Sequence, residues 1–516
     1  MRAAFFFTPM FCHHGIMRSL TCLVLTVTLC VNAQTAEQSA KANKARALME
    51  AGNFAQAAAL YGELNQAIPN NAGLLLNQGM ALHMAGEDAK AVPVLQSALK
   101  LNPSIPPALL FLGASFLRTG RPAEAIAPLE KFIALDPNHL ESRLMIVDAC
   151  TSAGQNRRAL PHLEKLTQLD PKRPGAWYEL GRGYENAAFE GFAELEKVFP
   201  ESGPFFALLA ESRSKANQKR AAFYFYRQAL AKSPGLRGMR TGIAEIYKQN
   251  GNADWAAKEL AAEAKLGKPI CSAAAPKTPE CEFAAGRYAA AIQLTRVRPT
   301  AVTAEQLYWR VRSYDMLARQ AFAKLTALPE SPESFRLIAE THREQGRHAE
   351  SVAAWREVLR LAPGRPDYQR ELAAELMEAK QYAEAQALLD TLLKAEPGAP
   401  DLLHLQGDLY LAQQLPEQAV PFLEKAVKAD PNGLPSRASL ARALLAAGKP
   451  AEALPHVTAA LPLDGDGSLH FQLARAYQAA GQTDAAAAAM KKYQEIKSRA
   501  RQQDRFVEEE LKITPP

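Results

Sequence analysis

The chain has 516 residues, 48% of them hydrophobic and 22% charged, with a formal net charge of +6. That mixture excludes wholesale disorder, and a charge so near neutral, without a basic block or an arginine–aromatic stripe, gives no footprint for nucleic acid. Alanine is abundant and β-branched residues are thin beyond the first thirty positions, which favours helix throughout.

The chain opens on an export pattern. Met17-Arg18-Ser19-Leu20 supplies a short basic region and CLVLTVTLCV (22–31) an apolar core too short for a stop-transfer helix. Val31-Asn32-Ala33 then offers small or branched side chains at −3 and −1 of a cut before Gln34. Met17 alone would make a compact start for such a signal. Leu29 before Cys30 disfavours lipoprotein cleavage, which wants a small residue there. Residues 1–33 thus read as a signal peptide, and the mature protein is expected to be periplasmic or secreted, without stable membrane insertion. Its removal takes Arg2 and Arg18, leaving about +4, and leaves only Cys150, Cys271 and Cys281 of the cysteines.

A period of 34 follows. It carries Gly52, Gly86, Gly120 and Gly154; Pro69, Pro103, Pro137 and Pro171; and Ala57, Ala91, Ala125 and Ala159. Each unit reads as two helices: the first ends at the glycine, and the second carries alanine early, so that the pair approaches closely. Steps such as LDPN (135–138), LDPK (169–172) and ADPN (429–432) close a unit, because proline cannot continue one helix but can begin the next. A lone hairpin cannot bury its apolar faces; stacked hairpins can.

These units resemble the tetratricopeptide repeat. Trp177, Leu180, Gly181 and Tyr184 fit its first-helix pattern W-x2-L-G-x2-Y. The resemblance implies an all-α, right-handed superhelical solenoid of about twelve or thirteen repeats. The expected divisions are an N-terminal array over 34–270, an irregular connector over 271–304, a C-terminal array over 305–500 and a charged cap over 501–516.

Two units are short and lack the turn glycine. The segment from Trp177 to Pro200 is one, and EQLYWRVRSYDMLARQAFAKLTALPES (305–331) the other. Tyr178, Arg182, Tyr184 and Phe192 match Tyr308, Arg312, Tyr314 and Phe322 at an offset of 130, which indicates a duplicated block. Each short unit is expected to be one fused helix or a hairpin with almost no turn. In the connector, AAGRYAAAIQL (284–294) supplies a second helix whose first helix is missing, and CSAAAPKTPEC (271–281) fills that slot. In an oxidising compartment Cys271 and Cys281 are expected to form a disulfide stapling this joint, with Cys150 a buried thiol.

The family resemblance implies that first helices line a concave groove, with the fifth and ninth positions of each unit turned inward. Leu76, Met80, Leu110 and Leu117 form an apolar stretch suited to a partner helix or extended peptide. Glu211, Glu245, Glu340 and Asp408 form an interrupted acidic column suited to a basic segment. Tyr178, Arg182, Tyr308 and Arg312 come from the short units. No ninth position is asparagine, which argues against the family's clasp for chaperone carboxylate termini.

Catalytic patterns fail. There is no phosphate loop, G-x-S-x-G elbow or H-E-x-x-H helix, and the histidines are scattered. LDGDGS (463–468) starts like a calcium loop but lacks the distal glutamate, and reads as a connector. No cofactor, metal or catalytic residue is expected. The leading reading is a non-enzymatic scaffold for proteins or peptides. The alternative is a glycan-binding or regulatory subunit of an envelope export machine, with Tyr178, Tyr308, Trp309 and Tyr314 stacking on sugar rings.

Overall fold

The computed structural model describes residues 36–267, 269, 271, 277–296, 302–509 and 512–516, so the expected signal peptide lies outside the described residues. The described residues form an all-α solenoid of stacked helical hairpins, divided into two compact units. The first takes the residues up to Ala187 with Leu317–Leu328; the second takes Ala188–Met316 with Pro329–Pro516. The division therefore runs through the two short repeats and not through the connector at 271–304.

The first unit holds four hairpins: α1 (Ala36–Glu50) and α2 (Phe54–Ala67), α3 (Ala72–Met84) and α4 (Asp88–Leu101), α5 (Pro106–Arg118) and α6 (Pro122–Leu135), α7 (Leu140–Ser152) and α8 (Asn156–Leu169). Gly86 shows how they turn. At φ +81° its N–H donates to the His83 carbonyl, and the Glu87 N–H donates to that of Leu82. A Cβ is disfavoured in that conformation. The repeated alanines Ala57, Ala91, Ala125 and Ala159 are buried where second helices press on first ones.

Each short repeat is one continuous helix: α9 (Pro174–Val198) and, later, α16 (Ala304–Thr326). Where a turn glycine would fall, α9 reads Glu-Asn-Ala-Ala-Phe-Glu, and α16 contains no glycine or proline at all, so nothing stops either helix. In the first unit, α9 meets the end of α16 at Gly181, where an added Cβ would lie 2.3 Å from the Phe322 ring. In the second unit, the later part of α9 meets the start of α16 at Gly191, where a Cβ would lie 2.9 Å from Val311.

The second unit continues with α10 (Gly203–Lys215) and α11 (Lys219–Lys232), α12 (Met239–Gln249) and α13 (Ala253–Lys265), then α14 (Pro279–Ala284) and α15 (Tyr288–Thr295). The missing first helix of the connector is thus a six-residue stub, α14, capped by the Thr278 hydroxyl accepting from the Cys281 N–H. Beyond α16 come α17 (Pro332–Glu344) and α18 (His348–Leu361), α19 (Pro366–Glu378) and α20 (Tyr382–Ala395), and α21 (Pro400–Ala412) and α22 (Pro416–Ala429). The last are α23 (Leu434–Ala446) and α24 (Pro450–Ala460), and α25 (Ser468–Ala479) and α26 (Thr483–Glu509). The expected cap at 501–516 divides: α26 runs on to Glu509, while Ile513 packs against the core of α10–α13 and the Tyr247 hydroxyl donates to the Thr514 carbonyl at 2.5 Å.

Candidate functional site

The inward first-helix positions differ along the array. In the first unit, Leu76 and Met80 are only 7% and 9% exposed, so they belong to the core and not to an open apolar surface. Leu110 and Leu117 are half-buried. Burial also raises the Asp148 carboxyl above its ordinary value, with the Ser152 hydroxyl opposing.

A His–Asp–Ser constellation lies in the same unit. His83 Nδ1 is 2.6 Å from Asp88 Oδ1 and 2.9 Å from Ser115 Oγ, and Arg118 Nε is 3.0 Å from Asp88 Oδ2. A relay needs the serine on one ring nitrogen and the carboxylate on the other. Here both crowd Nδ1 and all three side chains are buried, so the group is a clamp joining α3, α4 and α5. Burial works to raise the Asp88 carboxyl, but the hydrogen bond and charge of His83, the Ser115 hydroxyl and Arg118 outweigh it and hold the group below its ordinary value.

In the second unit the acidic column is largely neutralised from within. Arg312 Nε lies 3.5 Å from Glu211 Oε1, the Tyr308 hydroxyl is 3.2 Å from the same oxygen, and Arg312 Nη1 donates to Tyr308 Oη at 3.1 Å. The guanidinium also covers the Phe283 ring at 4.7 Å. Arg336 pairs with Glu340 at 3.0 Å, and Arg442 with Asp408 at 2.9 Å. Glu245 alone among the four carboxylates is exposed, accepting from Gln249 at 3.2 Å. In the short repeats, Arg182 pairs with Glu185 at 2.6 Å.

The sugar-stacking aromatics are a correction. Tyr178 and Tyr308 are 2% and 0% exposed, and Trp309 and Tyr314 are buried too. Fused into long helices, these residues gained helical neighbours that cover their rings: Phe322 beside Tyr178 in the first unit, and Phe283 beside Trp309 in the second.

Cys271 and Cys281 are joined as a disulfide with Cα atoms 5.5 Å apart, and Cys150 is free and buried. The aspartates of LDGDGS serve as caps: Asp464 accepts from the Leu469 and His470 N–H groups at 3.0 and 2.9 Å, and Asp466 from that of Ser468 at 2.9 Å. Among the described residues, no cluster of His, Cys, Asp and Glu is grouped to hold a metal, and no helix is long and apolar enough to cross a membrane.

What the sequence reading underweighted is the end of the array. Two adjoining clefts of ≈ 420 and ≈ 360 Å³ share Arg442 and Ala446. Asp408 and Leu411 of α21 line the first; Phe471 and Arg475 of α25, with Tyr493 and Lys497 of α26, line the second. Phe471 and the two arginines occupy inward positions, a signal present in the sequence but masked by the apolar and acidic stretches upstream.

The stacked hairpins define a helical repeat protein. The chain belongs to the tetratricopeptide-repeat family. Models described as tetratricopeptide repeat match residues 295–464, residues 43–106, 89–139 and 439–503, and residues 116–180. No curated protein matches in a sequence search. Among solved structures, MamA of MSR-1 is 24% identical, with a TM-score of 0.28, covering 33% of this chain and 98% of its own. MamA from Desulfovibrio magneticus is 20% identical, with a TM-score of 0.29, covering 33% and 96%. A thermophilic TPR protein of Thermus thermophilus is 19% identical, with a TM-score of 0.28, covering 32% and 91%.

Proposed function

We propose that this chain is an exported, non-enzymatic scaffold that holds segments of partner proteins against the inward first-helix faces of its repeats. The observation that supports this most is the pair of adjoining clefts across α21, α23 and α25. First-helix residues Asp408, Leu411, Arg442, Phe471 and Arg475 line them together with residues of α22 and α26, and they combine apolar walls with charged rims, as recognition surfaces do. The half-buried Leu110 and Leu117 offer a second, apolar stretch for an amphipathic segment, and exposed Glu245 an acidic contact. Export is supported by the Cys271–Cys281 disulfide, a bond that persists in oxidising compartments. The glycan alternative loses its basis with the burial of Tyr178 and Tyr308.

Two experiments test the reading. Photo-crosslinkers placed at Leu110, Glu245 and Phe471 should capture envelope proteins that the exposed second-helix residue Lys131 does not. Equal capture from both faces would contradict a groove. Terminal sequencing of the protein from cell fractions should find Gln34 first, outside the cytoplasm; an intact N-terminus on cytoplasmic protein would contradict export.

A further inference from the structure

The second of the clefts has a chemistry of its own. Phe471 is 39% exposed although it is a large apolar residue, and its ring lies 5.3 Å from that of Tyr493. Arg475 follows it by one helical turn on α25, so the two share a face. Arg475 is exposed and makes no ion pair among the described residues. Lys497 stands over the Tyr493 ring at 5.9 Å without a direct ion pair among the described residues, and its charge also acts on the Asp466 carboxylate that Ser468 holds. Arg442 closes the rim, already shared with Asp408 of the neighbouring cleft. Three cations thus surround the exposed Phe471 ring and the half-buried Tyr493, while Asp408 is paired with Arg442 on the far side and Asp466, the acidic residue whose charge meets Lys497, is held by Ser468.

We infer that this cleft binds an acidic peptide segment: a carboxylate seated between Arg475 and Lys497, with an adjacent large apolar side chain on Phe471, Tyr493 and Leu445. The inference rests on the scaffold reading and names the partner chemistry at one place within it. Charge complementarity selects the carboxylate, because a ligand that pairs the unpartnered Arg475 gains attraction without breaking an existing bridge. The aromatic pair selects a peptide over a polyanion. A nucleic acid or acidic polysaccharide needs a continuing track of cations, whereas the adjoining cleft presents Asp408 and Leu411. Asp408 also sets direction: beyond Arg442 the bound segment must turn neutral or basic.

The test is selection of random displayed peptides on the full mature chain, with Arg475→Glu and Phe471→Ala as counter-targets. Peptides that bind the parent and not the variants are expected to pair Asp or Glu with a large apolar residue. Their affinity should drop at least about tenfold with Arg475→Glu, the scale of a lost rim charge pair turned repulsive, and weaken as salt rises. Both variants should keep the parent's helicity and melting temperature. Discriminating peptides that are neutral or basic, no discrimination by either variant, or competition by heparin at equal charge concentration would each overturn it. If these outcomes came with groove-specific crosslinks at Leu110 or Glu245, the scaffold reading would stand and the acidic-segment subsite alone would fall.

Discussion

The first helices of α3 and α5 and those of α23 and α25 occupy equivalent places in their repeats, yet they spend their inward residues differently. At the early repeats Leu76 and Met80 are pulled into the core, and a buried His83–Asp88–Ser115 clamp ties successive hairpins. At the late repeats Phe471 and Arg475 stay exposed over an open cleft. The same position in a repeat can therefore be buried in the packing or left open to solvent. What decides is whether a neighbouring helix covers it.

Several variants would break or sharpen this contrast. The largest effect is expected from Tyr308→Ala: a fully buried ring, bonded to Glu211 and Arg312, should cost about 4 kcal/mol of local stability. Native-state hydrogen exchange in α10 and α16 would read it, and an unchanged pattern would return Tyr308 to the surface. Leu76→Ala should cost about 3 kcal/mol, seen as early melting; an unaltered melt with weakened partner capture would make Leu76 a contact residue after all. Reducing the Cys271–Cys281 bridge should remove about 2.7 kcal/mol on the loop-entropy account. The unreduced mature protein should show one alkylatable thiol, and only on unfolding. Burial pushes the Cys150 thiol up to about 11, so the native protein should resist thiol reagents at neutral pH.

Smaller still is the Asp88 clamp. Its carboxyl is held below its ordinary value in the fold, so its stabilisation is complete above the ordinary carboxylate value of about 3.9 and is lost as pH falls through the lower folded value. Asp88→Asn should lower the melting temperature at neutral pH and flatten its fall below about pH 4. A parallel downward shift at every pH would show that the charge is immaterial. Smallest in stability are Phe471→Ala and Arg475→Glu, within about 0.5 kcal/mol as for other surface changes.

Much of the fold was legible in the sequence because a repeat is a local object. Gly86 must turn, Ala91 must fit under a first helix and Pro103 must end a unit, and each does so within one period. That two units are irregular was legible too, from the missing turn glycine, but a fused helix and a hairpin with almost no turn stayed equally open until α9 and α16 were seen to run on. Coverage was not legible, because it comes from contacts between distant segments. Glu211 meets Arg312, and Tyr247 meets Thr514, across intervals that no period links. Spacing identified Tyr308 as inward, but only the packing of a fused helix shows that its ring is enclosed. The same blindness hid the clamp, whose His83 and Ser115 lie nearly one repeat apart and look like scattered polar residues.

The central claim is that Phe471 is a contact residue whereas Leu76, its counterpart in an early repeat, is a packing residue. Binding of a selected peptide and thermal melting, measured side by side on Phe471→Ala, test it most directly. The account predicts an unchanged melt and affinity weaker by about tenfold, the loss expected on removing an aromatic anchor. A variant that melts early and still binds as the parent does would contradict it.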